Sequence, residues 1–140
     1  MKSYPKVLAV AFLLILFVTA VLVGNIYRNN RLLALLPLSK ARMGAFAMAS
    51  ANYFNFYMNW PRSLDDLFSN TNVFVAPDMP RTDVWGRAIQ YQPFDPKLGF
   101  GVVRSLGRDG MPGGTNADAD IEVYFGPFGT SPNKPGPTGR

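Results

Sequence analysis

Three patterns of apolar and polar residues follow one another along the chain. From Val7 to Val23 every residue is apolar except Thr19. A run of that length sits at the short end of what crosses a bilayer as a helix. Lys2 and Lys6 precede it, and Gly24, Asn25 and Arg28 follow it. This fits a retained membrane anchor. It also fits a cleavable signal peptide with Val18-Thr19-Ala20 at the cut, although the apolar run continues past that point.

The second pattern is helical. Ile26 to Leu36 carries Arg28 and Arg31 and then turns apolar. Pro37 lacks the donor that a helix interior needs, which predicts a kink or interruption there. Ser39 is a suitable N-cap for a helix resuming at Lys40 and running to about Asn59. Within it Met43, Ala47, Ala51, Phe54 and Met58 share one stripe, with Phe46, Tyr53 and Tyr57 beside it. That spacing predicts a core helix laid on a sheet. The helix is apolar over more than one face, so it can also pack on another helix in a larger assembly.

The third pattern is shorter in period. Ser63 to Phe68 reads as a short helix in which Asp66 reaches back to the helix start. Asn70 to Pro80 is a connector, with Val73-Phe74-Val75 a candidate short strand. Asp83-Val84-Trp85-Gly86 is a turn in which Gly86 takes a positive φ. Ala88–Gln92, Phe100–Leu106 and Ile121–Phe125 read as strands, the first two joined through Pro93–Gly99. Trp85 is expected to pack over this small sheet. The fold class is therefore α+β. Its parts are a membrane or signal-like helix (1–24), a kinked helical connector (25–38), an α+β domain (39–125) and a disordered Pro/Gly tail (126–140).

Composition narrows the chemistry. The chain has 140 residues, a formal charge of +5, and neither cysteine nor histidine. Disulfides and imidazole or thiolate metal sites are excluded, which leaves hard, oxygen-seeking cations. Ser-His and Cys-His nucleophiles cannot be built, and Lys40, Lys97 and Lys134 lack a setting that would suit a Ser-Lys pair. The basic residues form no run interleaved with aromatics, so nucleic-acid binding is not supported. A non-enzyme with no small-molecule substrate is expected.

The one concentrated chemical feature is the stretch from Ser105 to Ile121. Gly107, Gly110, Pro112, Gly113 and Gly114 forbid a helix. Asp109, Asn116, Asp118 and Asp120 gather oxygens in the loop, as a calcium cage would. The spacing is not that of an EF-hand, and a solvated Asp-Gly turn with Asx-type hydrogen bonds has the same composition.

Ser105-Leu106-Gly107-Arg108-Asp109-Gly110-Met111-Pro112-Gly113-Gly114, followed by Asp118-Ala119-Asp120-Ile121, resembles the signature loop of the major (G-type) pseudopilins of type II secretion. Thr82-Asp83-Val84-Trp85-Gly86-Arg87-Ala88-Ile89-Gln90-Tyr91 resembles the Asp-Pro-Trp-Gly-x-x-Tyr-x-Tyr segment of the same family. Trp60-Pro61 takes the place of the Tyr-Pro that ends the family's spine helix. The resemblance covers about residues 39 to 125. It implies a Ca2+ ion in loop 105–121, a place in a short periplasmic pilus, and other pseudopilin or secretion-apparatus subunits, or copies of itself, as partners. In the calcium reading Asp109 and Asp120 supply carboxylates from opposite ends of the loop. Asp118 adds a third, directly or through water. Leu106 gives a backbone carbonyl and Asn116 an amide oxygen.

The N-terminus departs from the family. Pseudopilins carry a Gly-Phe-type cleavage site and a glutamate within the apolar helix. Here no glycine precedes Gly24, no acid precedes Asp65, and the glutamate position falls near Leu8. Prepilin processing is thus a third reading of the N-terminal run. Charge counting leans toward a cytoplasmic C-terminus, since Arg28, Arg31, Lys40 and Arg42 follow the span. The resemblance and the calcium loop favour an inner-membrane protein with its domain in the periplasm.

Overall fold

A computed structural model of the chain describes residues 4–68 and 74–136. The chain divides into two compact units, Met1–Ala34 and Leu35–Arg140. A helix, α1, is assigned from Tyr4 to Tyr57. In the first unit its segment Leu8–Arg28, 21 residues long, is long and apolar enough to cross a membrane. The Thr19 hydroxyl donates to the carbonyls of Ile15 and Leu16 at 3.0 and 2.9 Å. The one polar side chain in the Val7–Val23 run is thereby satisfied within the helix, as an apolar surrounding demands.

Pro37 lies inside α1, and the expected interruption there is absent. Proline removes one hydrogen bond and crowds the preceding turn, but the bonds of the neighbouring turns suffice to carry the helix on. Ser39 is accordingly not an N-cap. It is fully buried within the helix, and its Oγ has no hydrogen-bond partner. In the second unit Met43, Phe46, Ala47 and Ala49 are buried. The helix ends at Tyr57, where Met58 takes a φ of 55° and donates its amide to Phe54 O at 2.8 Å.

The sheet has four antiparallel strands in sequential order: β1 (Gln90–Asp95), β2 (Phe100–Ser105), β3 (Ile121–Gly126) and β4 (Gly129–Ser131). The pairs Tyr91↔Val103, Gly101↔Phe125 and Val103↔Val123 set the inner face, whose apolar residues join Met43, Phe46, Ala47 and Leu67 in the core. Gly101 is needed there, because a Cβ would run into the Phe125 ring. Trp60 is stacked between Phe54 (4.3 Å, 12°) and Phe94 (4.6 Å, 18°). The Tyr91 hydroxyl donates to Pro61 O at 3.2 Å, and burial raises its pKa well above the usual phenol value.

The outer face carries a smaller buried cluster of Phe100, Val102 and Tyr124. Arg104 pairs with Glu122 across the strands, and Tyr124 donates to Glu122. Burial first, and Glu122 second, push the Tyr124 hydroxyl up to about 12.

Three expectations change in detail. The tail does not begin at 126, because Gly126 closes β3 and Gly129–Ser131 adds β4 along Tyr124–Gly126. Beyond it Pro135 lines a cavity of about 160 Å³ beside Phe100 and Tyr124. The helix expected at Ser63–Phe68 is a single 3-10 turn, Asp65–Leu67. Asp66 does reach back, accepting the amides of Arg62 and Ser63 at 2.7 and 3.2 Å. Of the strand expected at 73–75, Val73 lies outside the described residues, and Phe74 and Val75 form a bend.

Candidate functional site

The acidic loop is the connection between β2 and β3. Its mouth is fixed by the last ladder pair, Ser105↔Ile121, so Leu106 and Asp120 flank one point of the sheet. Inside the loop the Arg108 amide donates to Ala117 O at 2.9 Å, and the Asp120 amide donates to Gly113 O at 3.1 Å. A 3-10 turn, Asn116–Asp118, leads back toward β3, and Asn116 itself has a positive φ of 55°. Gly107 has a φ of +66°, and a Cβ there would lie 2.6 Å from Asp118 O. The two arms cross too closely for a side chain at that point.

The five residues with candidate ligand oxygens have different surroundings. Asp120 Oδ1 is buried and has no hydrogen-bond partner. A buried acceptor without a partner is costly, and a cation is one way to satisfy it. Asp109 is exposed, and its Oδ1 accepts the Met111 amide at 3.0 Å. This is the Asx-turn geometry that the composition also allowed. Asn116 is exposed and Leu106 half-buried.

Asp118 is engaged elsewhere. Arg108 donates Nε to its Oδ1 at 2.7 Å and Nη2 to its Oδ2 at 2.6 Å, a fork-to-fork pair. The hydrogen bonds from Arg108 hold the Asp118 carboxyl below its usual pKa, and the same bonds raise that of Arg108.

Among the described residues, no three acidic side chains gather closely enough to hold a metal ion. Of the expected calcium ligands, Asp120 Oδ1 is the one whose buried, unpartnered state calls for a cation. Both Asp118 oxygens already accept from Arg108, which makes Asp118 the most engaged of the three loop carboxylates.

Three residues outside the candidate set shape the loop. Asp83, only 2% exposed, accepts the amides of Trp85 and Arg87 on Oδ1, both at 2.9 Å. Its Oδ2 accepts the Ser105 hydroxyl at 2.6 Å, and Ser105 Oγ accepts the Gly107 amide at 3.3 Å. Arg87 donates Nε and Nη2 to Arg108 O at 2.9 and 2.7 Å. Its guanidinium lies where a side chain at Gly110 would have to go. The Asp83–Gly86 turn was readable as a turn. Its tie to Ser105 spans 22 positions, and no local spacing announces it.

No protein-family model, curated protein or solved structure matches the chain.

Proposed function

We propose that the chain is a structural, non-catalytic component of a type II secretion or related pilus-type apparatus, pseudopilin-like, with a calcium-stabilised domain in the periplasm. Residues 8–28 anchor it in the inner membrane. The observation that carries the reading is the unpaired, buried Asp120 Oδ1 in a loop whose sequence resembles the pseudopilin calcium loop. Calcium supplies a positive charge there that several oxygens can share. Asp120 and Asp109 would hold it, with the Leu106 carbonyl, and binding adds stability by mass action.

The test is a thermal melt of the full chain in detergent, with calcium and then with excess chelator. A Tm that falls with chelator and returns with calcium, but not with magnesium, supports the reading. Asp120→Asn should abolish that response. A melt indifferent to calcium overturns it.

A second reading has its own support. The apolar run holds no acid and no glycine before Gly24, whereas filament subunits of this type use both. On that reading the chain is a membrane-anchored extracytoplasmic binding module that keeps the calcium-stabilised domain without entering a filament. N-terminal sequencing of protein from membranes separates the two. A new N-terminus at the apolar run favours the filament, and an intact Met1 favours the anchor.

A further inference from the structure

The acidic loop contains more positive charge than its composition suggests at first reading. Two guanidinium groups sit on it, and each closes a different gap. Arg108, near the loop entry, grips Asp118 near the exit through two bonds. Arg87 comes from outside the loop and donates twice to the Arg108 carbonyl, filling the space left by Gly110. A cation that collects a loop carbonyl and a cation that bridges a loop carboxylate are the two services a bound metal ion performs in such a loop. Here both come from the chain.

We propose that Arg87 and Arg108 are built-in counter-cations that close the acidic loop without a metal, and that Asp83 is the positioning residue that aims Arg87. Asp83 fixes the Arg87 backbone from both sides, since its carboxylate accepts the Arg87 amide at 2.9 Å and its own amide donates to Arg87 O at 2.8 Å. Through Ser105 the same carboxylate holds the loop entry. A guanidinium suits this role better than an ammonium, because its rigid fork makes two bonds to one partner. The loop is thereby preformed, and an ion that binds Asp120 and Asp109 meets a closed loop instead of having to fold one. This goes beyond the calcium reading and does not need an ion to be present.

The test is amide hydrogen exchange on the full chain in detergent micelles with excess EGTA. The wild-type amides of Arg108 and Asp120 should exchange at least about tenfold more slowly than unstructured amides. Arg87→Met keeps the aliphatic stem and removes the charge. It should bring both amides close to the unstructured rate and leave those of Val103 and Val123 in the sheet unchanged. Arg108→Met should do the same. Arg87→Lys should restore part of the protection, which a purely space-filling role would not require.

Two results overturn the proposal. One is a wild-type loop that exchanges freely in EGTA and slows only when calcium is added, so that the ion closes it. The other is an Arg87→Met loop that stays as protected as wild type. Both variants change exposed side chains, so the fold should survive them. The calcium melt is read separately: a loop protected in EGTA with no calcium response upholds the arginine closure and removes the calcium reading alone.

Discussion

The inner face of the sheet and the acidic loop meet at a single residue pair, Ser105↔Ile121, yet different forces hold them. On the inner face Val103, Val123 and Phe125 are buried against Phe46 and Ala47 of α1, and the attraction is non-directional. Past the pair almost every contact is directional: a carboxylate on amides, a guanidinium on a carbonyl, a hydroxyl between them. A core of the first kind tolerates changes of shape that keep volume. A network of the second kind fails when one partner is lost, because each directional bond positions the next. Damage to the face should therefore lower the stability of the whole domain. Damage to the loop should be felt locally, except at Asp83, whose buried carboxylate ties the 83–87 turn to Ser105 at the end of β2.

The largest effect belongs to the face. Phe125→Ala should cost about 3–5 kcal/mol in chemical denaturation, because the ring is buried between Tyr91 and Trp60. Next comes Asp83. Asp83→Ala strands the amides of Trp85 and Arg87 and the Ser105 hydroxyl, and it should cost about 2–3 kcal/mol. If denaturation midpoints show Asp83→Ala to be neutral, the division between the two regions is sharper than the hydrogen bonds imply. Gly107→Ala meets the crossing of the loop arms and a positive φ, and about 1–3 kcal/mol is expected. Its mark should be loss of loop protection with little change in the sheet.

The smallest effect is electrostatic. The Asp118 carboxyl has its pKa lowered in the folded chain by Arg108. Its contribution is fully present above the unfolded carboxyl pKa of about 3.9. It is lost as pH falls through the lower, folded value. Between pH 7 and 5 the Asp118 contribution should be constant, so it adds no pH dependence to the melts. Below about pH 4 the wild type should lose a stabilising increment that Asp118→Asn lacks at every pH. A difference between the two that already varies at pH 6 would contradict the pairing.

Much of this arrangement was legible in the residues. Met43 and Ala47 of the expected stripe are buried, whereas Met58 at its end is 76% exposed and lies past the helix. Ile89 and Tyr91 both pack in the core, although the first strand begins only at Gln90 and runs on to Asp95. Gly86 was legible as a positive-φ turn and has a φ of 82°. What escaped had non-local causes. Pro37 argued for a break that the continuing helix bridges. Gly129-Thr130-Ser131 has no apolar alternation and becomes a strand only because the edge of β3 offers it partners. In the loop the aspartates dominate the charged composition. Arg108 was the residue that decided the fate of Asp118, and its reach across ten positions depends on a chain reversal that only the fold supplies. The oxygens of Asp109 and Asp120 were legible as candidates, but their unequal burial was not.

The sandwich of Phe54, Trp60 and Phe94 also has an optical consequence. Trp60 stands between two nearly parallel rings, one on the helix that precedes it and one on the first strand. Its indole transitions couple to theirs only while helix and strand are held together. The near-ultraviolet circular dichroism of the domain should therefore carry a Trp60 signal that vanishes in Trp60→Phe. During unfolding that signal times the parting of helix and sheet, with no label added.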